Sequence, residues 1–481
     1  MTSNSVRSST GLGKLLAISS LATAAGLFAS IARGKITAVT IGLGGLGTTS
    51  EIQQTVAFVM VPLAVFSGPA LTTALLTDRI CALRALLSAR AFTLVCGLIL
   101  TPVAIGIGLL LFKGETRREA LWLALSAVFA LATALFAVEQ ASLLAFQKVK
   151  QAGLLSVLQA VTQTIGVAVG TTLGGIDGQF ICLAIASLAV LPVALYVSSQ
   201  HLPPELARAS SVLTHPRDWD RSFLASAALL GLATAASGFA AQGMWSLFRF
   251  VVHNDEGAIG NGLLQAARTT AVAYFGLVLQ GLSTVVFPLF AAAKTPVALD
   301  AVLRRAIRLI LLFAPPVILA AMSVRRPILV LLFAPDFANA SELAGLFMAS
   351  DLSKAFVWAL GGPLLYLGKA RAFVLAEITS TGLLLLSSMC LYWWRGTAGI
   401  GAGHIIGYSL SIATNALFLR KTLGVGPTGR EVLVCLLGTI ALSSLSTLSL
   451  RYPGAVTEIA MLLFATAWLV VSIRIYRKQS T

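Results

Sequence analysis

The chain has 481 residues, of which 57% are hydrophobic and 11% are charged, and its mean hydropathy is +0.90. A soluble domain carries about 25% charged residues because its surface must be solvated, so this composition excludes an ordinary soluble protein. The net charge of +16 follows from cations that flank apolar segments, and no basic tract is interleaved with aromatic residues. Membrane topology explains this charge, and we expect no nucleic-acid partner.

Apolar runs of roughly 20 residues recur from end to end, and each is long enough to cross the bilayer as a helix. The runs are continuous, which excludes the alternating pattern of a membrane β-barrel. The first run is interpreted as a retained span because Arg33 and Lys35 follow it within a longer helical stretch. The sequence therefore predicts an all-α polytopic membrane protein with about fourteen transmembrane helices, near residues 14–36, 52–77, 91–112, 120–145, 152–173, 178–198, 222–244, 264–292, 307–324, 342–366, 372–393, 397–419, 432–450 and 455–473.

Long connections divide this series of helices. Only 199–221 and 245–263 are predicted as long, and the first follows the sixth span and contains Pro203, Pro204 and Pro216. This composition is typical of a linker between two halves of six helices. The predicted domains are an N-terminal lobe (1–200), a cytoplasmic linker (201–221), a C-terminal lobe (222–421) and a C-terminal helix pair (422–481).

Lysine and arginine are distributed unevenly between alternate loops. The N-terminus, the loops after even-numbered spans and the C-terminus hold most of the 34 cationic residues. Cation-rich loops face the cytoplasm, so both termini of this multi-pass protein are predicted to be cytoplasmic.

A faint internal repeat accompanies the two predicted halves. The glycine-rich stretch 41–47 leads to Gln53, and the stretch 259–262 leads to Gln265. Parallel repeats of this kind occur in several families of membrane transporters.

Arg268 is the most informative ionisable residue, because a charge inside the membrane costs roughly 2.5–3.5 kcal/mol on insertion scales. Asn261 and Gln265 lie on neighbouring turns, and no acidic residue lies within one turn along the sequence. Arg268 is therefore predicted to line a polar cavity, the alternative being that it extends to the outer interface.

Two further pairs of charges are candidates for anion binding. Arg33 and Lys35 lie near the glycine-rich stretch and could contact phosphate or anchor the first helix. Asp351 and Lys354 are spaced i, i+3, so that they could contact substrate or neutralise each other. Together these cations predict a positive cavity that suits phosphate or diphosphate, because Arg offers planar multidentate donors and Lys a point charge.

Two acidic residues, Glu139 and Glu377, are candidates for relaying protons or binding a coupling cation, and each could equally be a helix-end residue. His404 and Glu51 are interpreted as satisfied buried or interfacial residues. The five cysteines are scattered singly, without metal-ligand spacing. We therefore predict no metal, no cofactor and no catalytic residue.

Four stretches resemble one family of membrane proteins. These are Gly34–Gly47, Arg249 to Arg268 followed by Tyr274, Pro288–Phe290, and Asp351-Leu-Ser-Lys354 followed by Gly368-Lys-Ala370 and Glu377. In order and spacing they are similar to the Wzx-type O-antigen and polysaccharide flippases of the multidrug/oligosaccharidyl-lipid/polysaccharide (MOP) exporter superfamily. The likeness covers the first twelve predicted spans.

Three positions depart from the family pattern. Phe250 replaces an expected acidic neighbour of Arg249, Ser350 replaces a glycine, and Gln53 stands where relatives often carry a basic residue. These differences leave the identity of the glycan open.

The resemblance implies two six-helix lobes around a central cavity that accepts an undecaprenyl-diphosphate-linked oligosaccharide. It implies alternating access and possible contact with other polysaccharide-assembly membrane proteins. On this interpretation the residues that contact substrate are Arg268, Arg33, Lys35, Lys354, Arg249, Asp351, Gln265 and Asn261.

Other functions remain open from the sequence. A cation-coupled multidrug exporter of the same superfamily would need more acids than bases in its cavity. A membrane-embedded glycan polymerase or glycosyltransferase generally needs a sizeable loop for polar chemistry. The longest predicted outer loop, 245–263, offers only His253, Asp255 and Glu256. An accessory subunit is a further alternative.

Overall fold

The computed structural model describes residues 9–67, 71, 74–75, 79–111, 116–203, 221–293, 295–452 and 454–480. Helices account for nearly all of these residues, and nine of the helices found there are long and apolar enough to cross a membrane. The predicted all-α polytopic fold is therefore confirmed. In chain order the α-helices are α1 (Ser9–Val59), α2 (Arg79–Leu111), α3 (Thr116–Ala145), α4 (Val149–His201), α5 (Arg221–Ala292), α6 (Pro296–Ser323), α7 (Arg325–Leu332), α8 (Ser341–Tyr366), α9 (Ala370–Arg395), α10 (Thr397–Leu423), α11 (Gly429–Arg451) and α12 (Ala455–Ser480), with 3₁₀ helices at Val61–Ser67 and Pro335–Ala340.

Three of these helices are each broken once into two arms. The breaks include Gly42 in α1 (φ 71°, ψ −169°), Gly175 in α4 (φ 58°, ψ −131°) and Gly257 in α5 (φ 69°, ψ −165°). This backbone region is open to glycine and strongly disfavoured for other residues. When each arm is counted separately, the described part of the chain contains fourteen long helical segments.

The long connection predicted at 245–263 is wrong, because this stretch is helical and interrupted only near Gly257. The gap predicted between the first two spans is likewise helical, with its break at Gly42. Polar side chains such as His253 and Asp255 end an apolar run without ending a helix, since the backbone hydrogen bonds continue within the arm.

The chain divides into two compact units, unit 1 (Met1–Gln242) and unit 2 (Gly243–Thr481). In unit 1, α4 packs against α1 and α3, and α2 packs against α3. In unit 2, α8 packs against α6, α10 and α11, and most residues of α8 are buried. Most of the predicted linker (201–221) lies outside the described residues, and the predicted lobe boundaries stay predictions.

Two turns recur in both units with the same geometry. Lys148 (φ −83°, ψ 52°) immediately precedes α4, and Lys369 (φ −86°, ψ 52°) immediately precedes α9. Each of them follows a residue with positive φ, Gln147 or Gly368. Gly175 in α4 corresponds to Gly396 between α9 and α10 (φ 60°, ψ −148°). Both pairs are 221 residues apart in the sequence, so the units repeat a local backbone design.

Substitution of Gly368 tests whether this turn depends on its backbone conformation. A Cβ at Gly368 meets nothing within 4 Å, but its φ is 70°, so Gly368→Ala should lower the free energy of unfolding by about 1 kcal/mol. Gly382 in α9 is the matched control, because its Cβ position is also open while its backbone is helical. Gly382→Ala should raise stability by up to about 1 kcal/mol. Thermal unfolding of the purified protein compares the two, and equal effects would contradict the conformational explanation.

Candidate functional site

Arg268 lies on the second arm of α5 and stacks on an aromatic ring of the first arm. Its guanidinium carbon is 4.1 Å from the centroid of Trp245, and both side chains are partly buried. Cation–π stacking fixes a guanidinium more strongly as water is removed. Because the break at Gly257 folds the arms together, two residues that are distant in sequence form one cationic platform.

Asp351 and Lys354 pair with each other on α8. The Asp351 side chain is 4% exposed, and its Oδ1 is 3.5 Å from Nζ of Lys354, whose side chain is 30% exposed. The hydroxyl of Tyr274 donates a 2.6 Å hydrogen bond to Oδ2 of Asp351, and Nζ of Lys354 is 5.4 Å from the ring centroid of Phe275. The structure thus contains the neutralising pair that the spacing allowed, and the lysine side chain as a whole stays partly exposed.

His404, on α10, packs beside Trp245. Its ring centroid is 5.5 Å from that of Trp245 and 6.1 Å from that of Tyr408. Its Nδ1 is 2.9 Å from the carbonyl oxygen of Ile400. Since a carbonyl only accepts, Nδ1 carries a proton. His404 is buried and hydrogen-bonded, as its sequence interpretation proposed. We call the following set the basic–aromatic cluster: Trp245, Arg268, Tyr274, Asp351, Lys354, His404 and Tyr408.

Arg249, Gln265 and Asn261 join the two arms of α5. Arg249 is 1% exposed and donates to the side-chain oxygen of Gln265. The amide of Asn261 donates to the backbone oxygen of Arg249 at 3.1 Å, and that of Gln265 donates to Thr269 at 3.2 Å. This geometry gives Arg249 a structural function, and its predicted contact with substrate stays a prediction.

Arg33 and Lys35 belong to unit 1. Arg33 is half-buried and donates to the backbone oxygen of Ala160 at 3.4 Å, while Lys35 is exposed. Their convergence with Arg268 and Lys354 on one ligand stays a prediction.

Glu139 forms an ion pair with Arg90 that the sequence interpretation did not include. Nε and Nη2 of Arg90 donate to the two carboxylate oxygens of Glu139 at 2.7 and 2.6 Å, and the side chains are 5% and 1% exposed. The carboxylate of Glu139 is thus engaged by a buried counterion, and its predicted function in coupling stays a prediction. Glu377, the other candidate for coupling, is half-buried, with its Oε1 4.0 Å from where a Cβ on Gly361 would lie.

Trp245 and Tyr408 were also missed by the sequence interpretation. An aromatic residue within an apolar helix carries no sign of function in the sequence, because packing against lipid or protein explains it equally well. Arg90 lies one residue before a predicted span, where a cation is expected for topological reasons alone.

The fold defines a class, that of polytopic helical membrane proteins. No protein-family model matches the chain, and no curated protein matches it in sequence. Solved structures do: "Lipid II flippase MurJ, inward closed conformation" matches with a TM-score of 0.71 and 15% identity, covering 97% of this chain and 99% of that one. "Inward-facing conformation of a multidrug resistance MATE family transporter of the MOP superfamily" matches with a TM-score of 0.68 and 15% identity, covering 87% and 95%. The chain is therefore a multi-pass membrane protein that shares the fold of these two transporters.

The Arg90–Glu139 pair can be separated experimentally from a coupling function. Glu139→Gln leaves Arg90 without its buried counterion and should lower the free energy of unfolding by about 3 kcal/mol. The double variant Arg90→Met/Glu139→Leu removes both charges and should regain most of this stability. We expect this double variant to transport normally in vesicles. A stable double variant without transport would instead assign Glu139 to coupling.

Proposed function

We propose that this protein is a flippase that moves an undecaprenyl-diphosphate-linked oligosaccharide, such as an O-antigen unit, from the cytoplasmic to the outer leaflet of the bacterial inner membrane. In this proposal it is a carrier without catalytic residues, its termini are cytoplasmic, and the units alternate access to the substrate. The fold that it shares with the lipid II flippase MurJ supports this proposal.

The observation that carries the proposal is the charge of the basic–aromatic cluster. Two cations, Arg268 and Lys354, accompany one acid, Asp351, on helices that cross the membrane. A net positive charge is costly in hydrocarbon, and an anionic ligand offsets that cost. The cluster therefore suits a diphosphate better than a cation.

The chemistry of the two cations divides the work of binding. Arg268 is held by Trp245, so its planar fork is preorganised for phosphate oxygens. The side chain of Lys354 is 30% exposed, and its Nζ lies 3.5 Å from Oδ1 of Asp351, compared with 2.6 Å in the Arg90–Glu139 pair. Because this contact is looser, Lys354 can turn toward a ligand at a small cost in free energy. Arg33 and Lys35 of unit 1 are proposed to contact the same substrate in another stage of transport.

The membrane potential is the proposed driving force. Moving one net negative charge outward across an inside-negative membrane gains about 2.3 kcal/mol per 100 mV. No coupling ion is required for this gain. Glu377 remains a candidate should transport depend on protons or sodium.

A multidrug exporter is the second candidate, since one MATE structure matches with a similar TM-score of 0.68. Such a transporter binds cationic compounds, which the excess of cations in the basic–aromatic cluster would repel. Drug sensitivity of cells that lack or overproduce the protein separates the two functions.

Arg268 gives the direct test. Vesicles containing the purified protein and prenyl-diphosphate sugars should show outward passage, which Arg268→Ala should reduce by about tenfold or more and Arg268→Lys should partly retain. Arg371→Ala, which removes an exposed arginine of α9, is the control and should transport normally. Undiminished passage in the Arg268→Ala protein would exclude this residue from the mechanism. Absence of passage with the wild-type protein would contradict the proposed substrate.

A further inference from the structure

Two adjoining cavities of unit 2 lie outside the basic–aromatic cluster. The first holds about 300 Å³, and its lining includes Arg325, Arg326, Asn339, Glu342, Ser449 and Glu458. The second holds about 170 Å³ and is almost entirely apolar, with a lining that includes Leu319, Leu352, Gly438, Leu442, Phe464 and Trp468. We call them the polar pocket and the apolar slot.

The same four helices, α6, α8, α11 and α12, build the slot and carry residues of the pocket. Along α6 the slot residue Leu319 precedes the pocket residue Met322, and along α11 Leu445 precedes Ser449. On α12 the order is reversed, because Glu458 of the pocket precedes Phe464 of the slot. Three or four residues are about one helical turn, so the polar pocket caps the apolar slot. By the predicted topology this end is the outer one.

Arg325 forms a fixed wall of the polar pocket. The side chain is 6% exposed, and it donates to the backbone oxygens of Ser341 (3.0 Å) and Met322 (2.7 Å) and to the hydroxyl of Ser449 (2.9 Å). A guanidinium has five N–H donors, so two remain for a ligand. Burial lowers the pKa of Arg325, and the negative charge of Glu458 acts in the opposite direction.

The lining of the polar pocket carries charges of both signs. Arg325 and Arg326 face a lining that also contains Glu342 and Glu458. Glu342 lies 3.8 Å from Arg395, so Glu458 is the acid that we assign to a ligand. A ligand that fits this pocket carries both signs: a phosphate for the guanidinium groups and a primary ammonium that donates to a carboxylate.

A hydrogen bond between α12 and α6 borders the apolar slot. The indole of Trp468 donates to the backbone oxygen of Leu312 at 3.2 Å. Pro316, four residues later, lacks an N–H and so cannot donate the usual helical hydrogen bond to this oxygen. Trp468 thus ties α12 to α6, and it lines the slot together with Gly438 and Ala441. The adjoining α7 exposes 67% of Leu331, as expected of a short helix at the membrane interface.

From this arrangement we propose that unit 2 holds a phospholipid with a zwitterionic, primary-amine headgroup, of the phosphatidylethanolamine type. The headgroup occupies the polar pocket, with its phosphate at Arg325 and Arg326 and its ammonium at Glu458. One chain enters the apolar slot and completes the packing of α11 and α12 on α6. The site is separate from the proposed transport cluster and does not depend on it.

Lipid binding to the full-length protein in detergent tests this site. Phosphatidylethanolamine, phosphatidylcholine and phosphatidylglycerol with identical chains are compared by native mass spectrometry and by their effect on the thermal unfolding temperature. Phosphatidylethanolamine should bind about tenfold more tightly than phosphatidylcholine, whose quaternary ammonium cannot donate a hydrogen bond. It should also raise the unfolding temperature most.

Variants locate the lipid. Glu458→Gln should abolish the preference for phosphatidylethanolamine, and Ala441→Trp, which fills the slot, should weaken binding of all three lipids. Asp336→Asn, on the neighbouring 3₁₀ helix but outside the pocket lining, should bind like the wild type. Arg326→Gln, an exposed position, replaces Glu458→Gln if that variant does not fold, and should weaken phosphatidylethanolamine binding. Equal affinities for the two zwitterionic lipids, tighter binding of phosphatidylglycerol, or a preference unchanged by the Glu458 and Arg326 variants would overturn the proposal.

Discussion

Polar groups inside hydrocarbon require partners within the protein, and this requirement governs the structure. Arg90 and Glu139 form a buried bidentate pair, and the backbone oxygen of Leu312, four residues before a proline, accepts a hydrogen bond from the indole of Trp468. The basic–aromatic cluster satisfies the same rule less fully, since Lys354 stays 30% exposed beside a single carboxylate. The proposed anion site therefore keeps a charged side chain partly exposed.

Glycine breaks determine which polar residues meet. The backbone of α5 changes at one residue, Gly257, and the arms on either side bring Trp245 to Arg268 and Arg249 to Gln265. Gly42 adopts nearly the same angles in unit 1. A break confined to one or two residues keeps almost every backbone hydrogen bond inside a helix, as an apolar solvent demands. The repeated turn geometry 221 residues apart indicates that both units use this solution.

Unit 2 separates two kinds of recognition. The basic–aromatic cluster has an excess of positive charge, whereas the lining of the polar pocket near Arg325 combines two arginines with two glutamates. An anion fits the first and a zwitterion fits the second, because each offsets the local charge. Helix α8 contributes to both, through Asp351 and Lys354 in one and Glu342 in the other, so a lipid in the polar pocket would support the helix that carries the cluster.

The sequence by itself determined that this protein lies in a membrane, that its fold is helical and approximately how many spans it has. The reason is that the length of an apolar run and the density of charge are properties of single segments. It also selected Arg268, Asp351 and Lys354 as unusual, since a charge within an apolar run is visible without coordinates. Only the tertiary structure decided what each charge meets. Pairing of Glu139 with Arg90, stacking of Arg268 on Trp245 and the helical course of 245–263 depend on contacts between segments distant in sequence and on the torsion angles of single glycines, which no local pattern of hydrophobicity encodes.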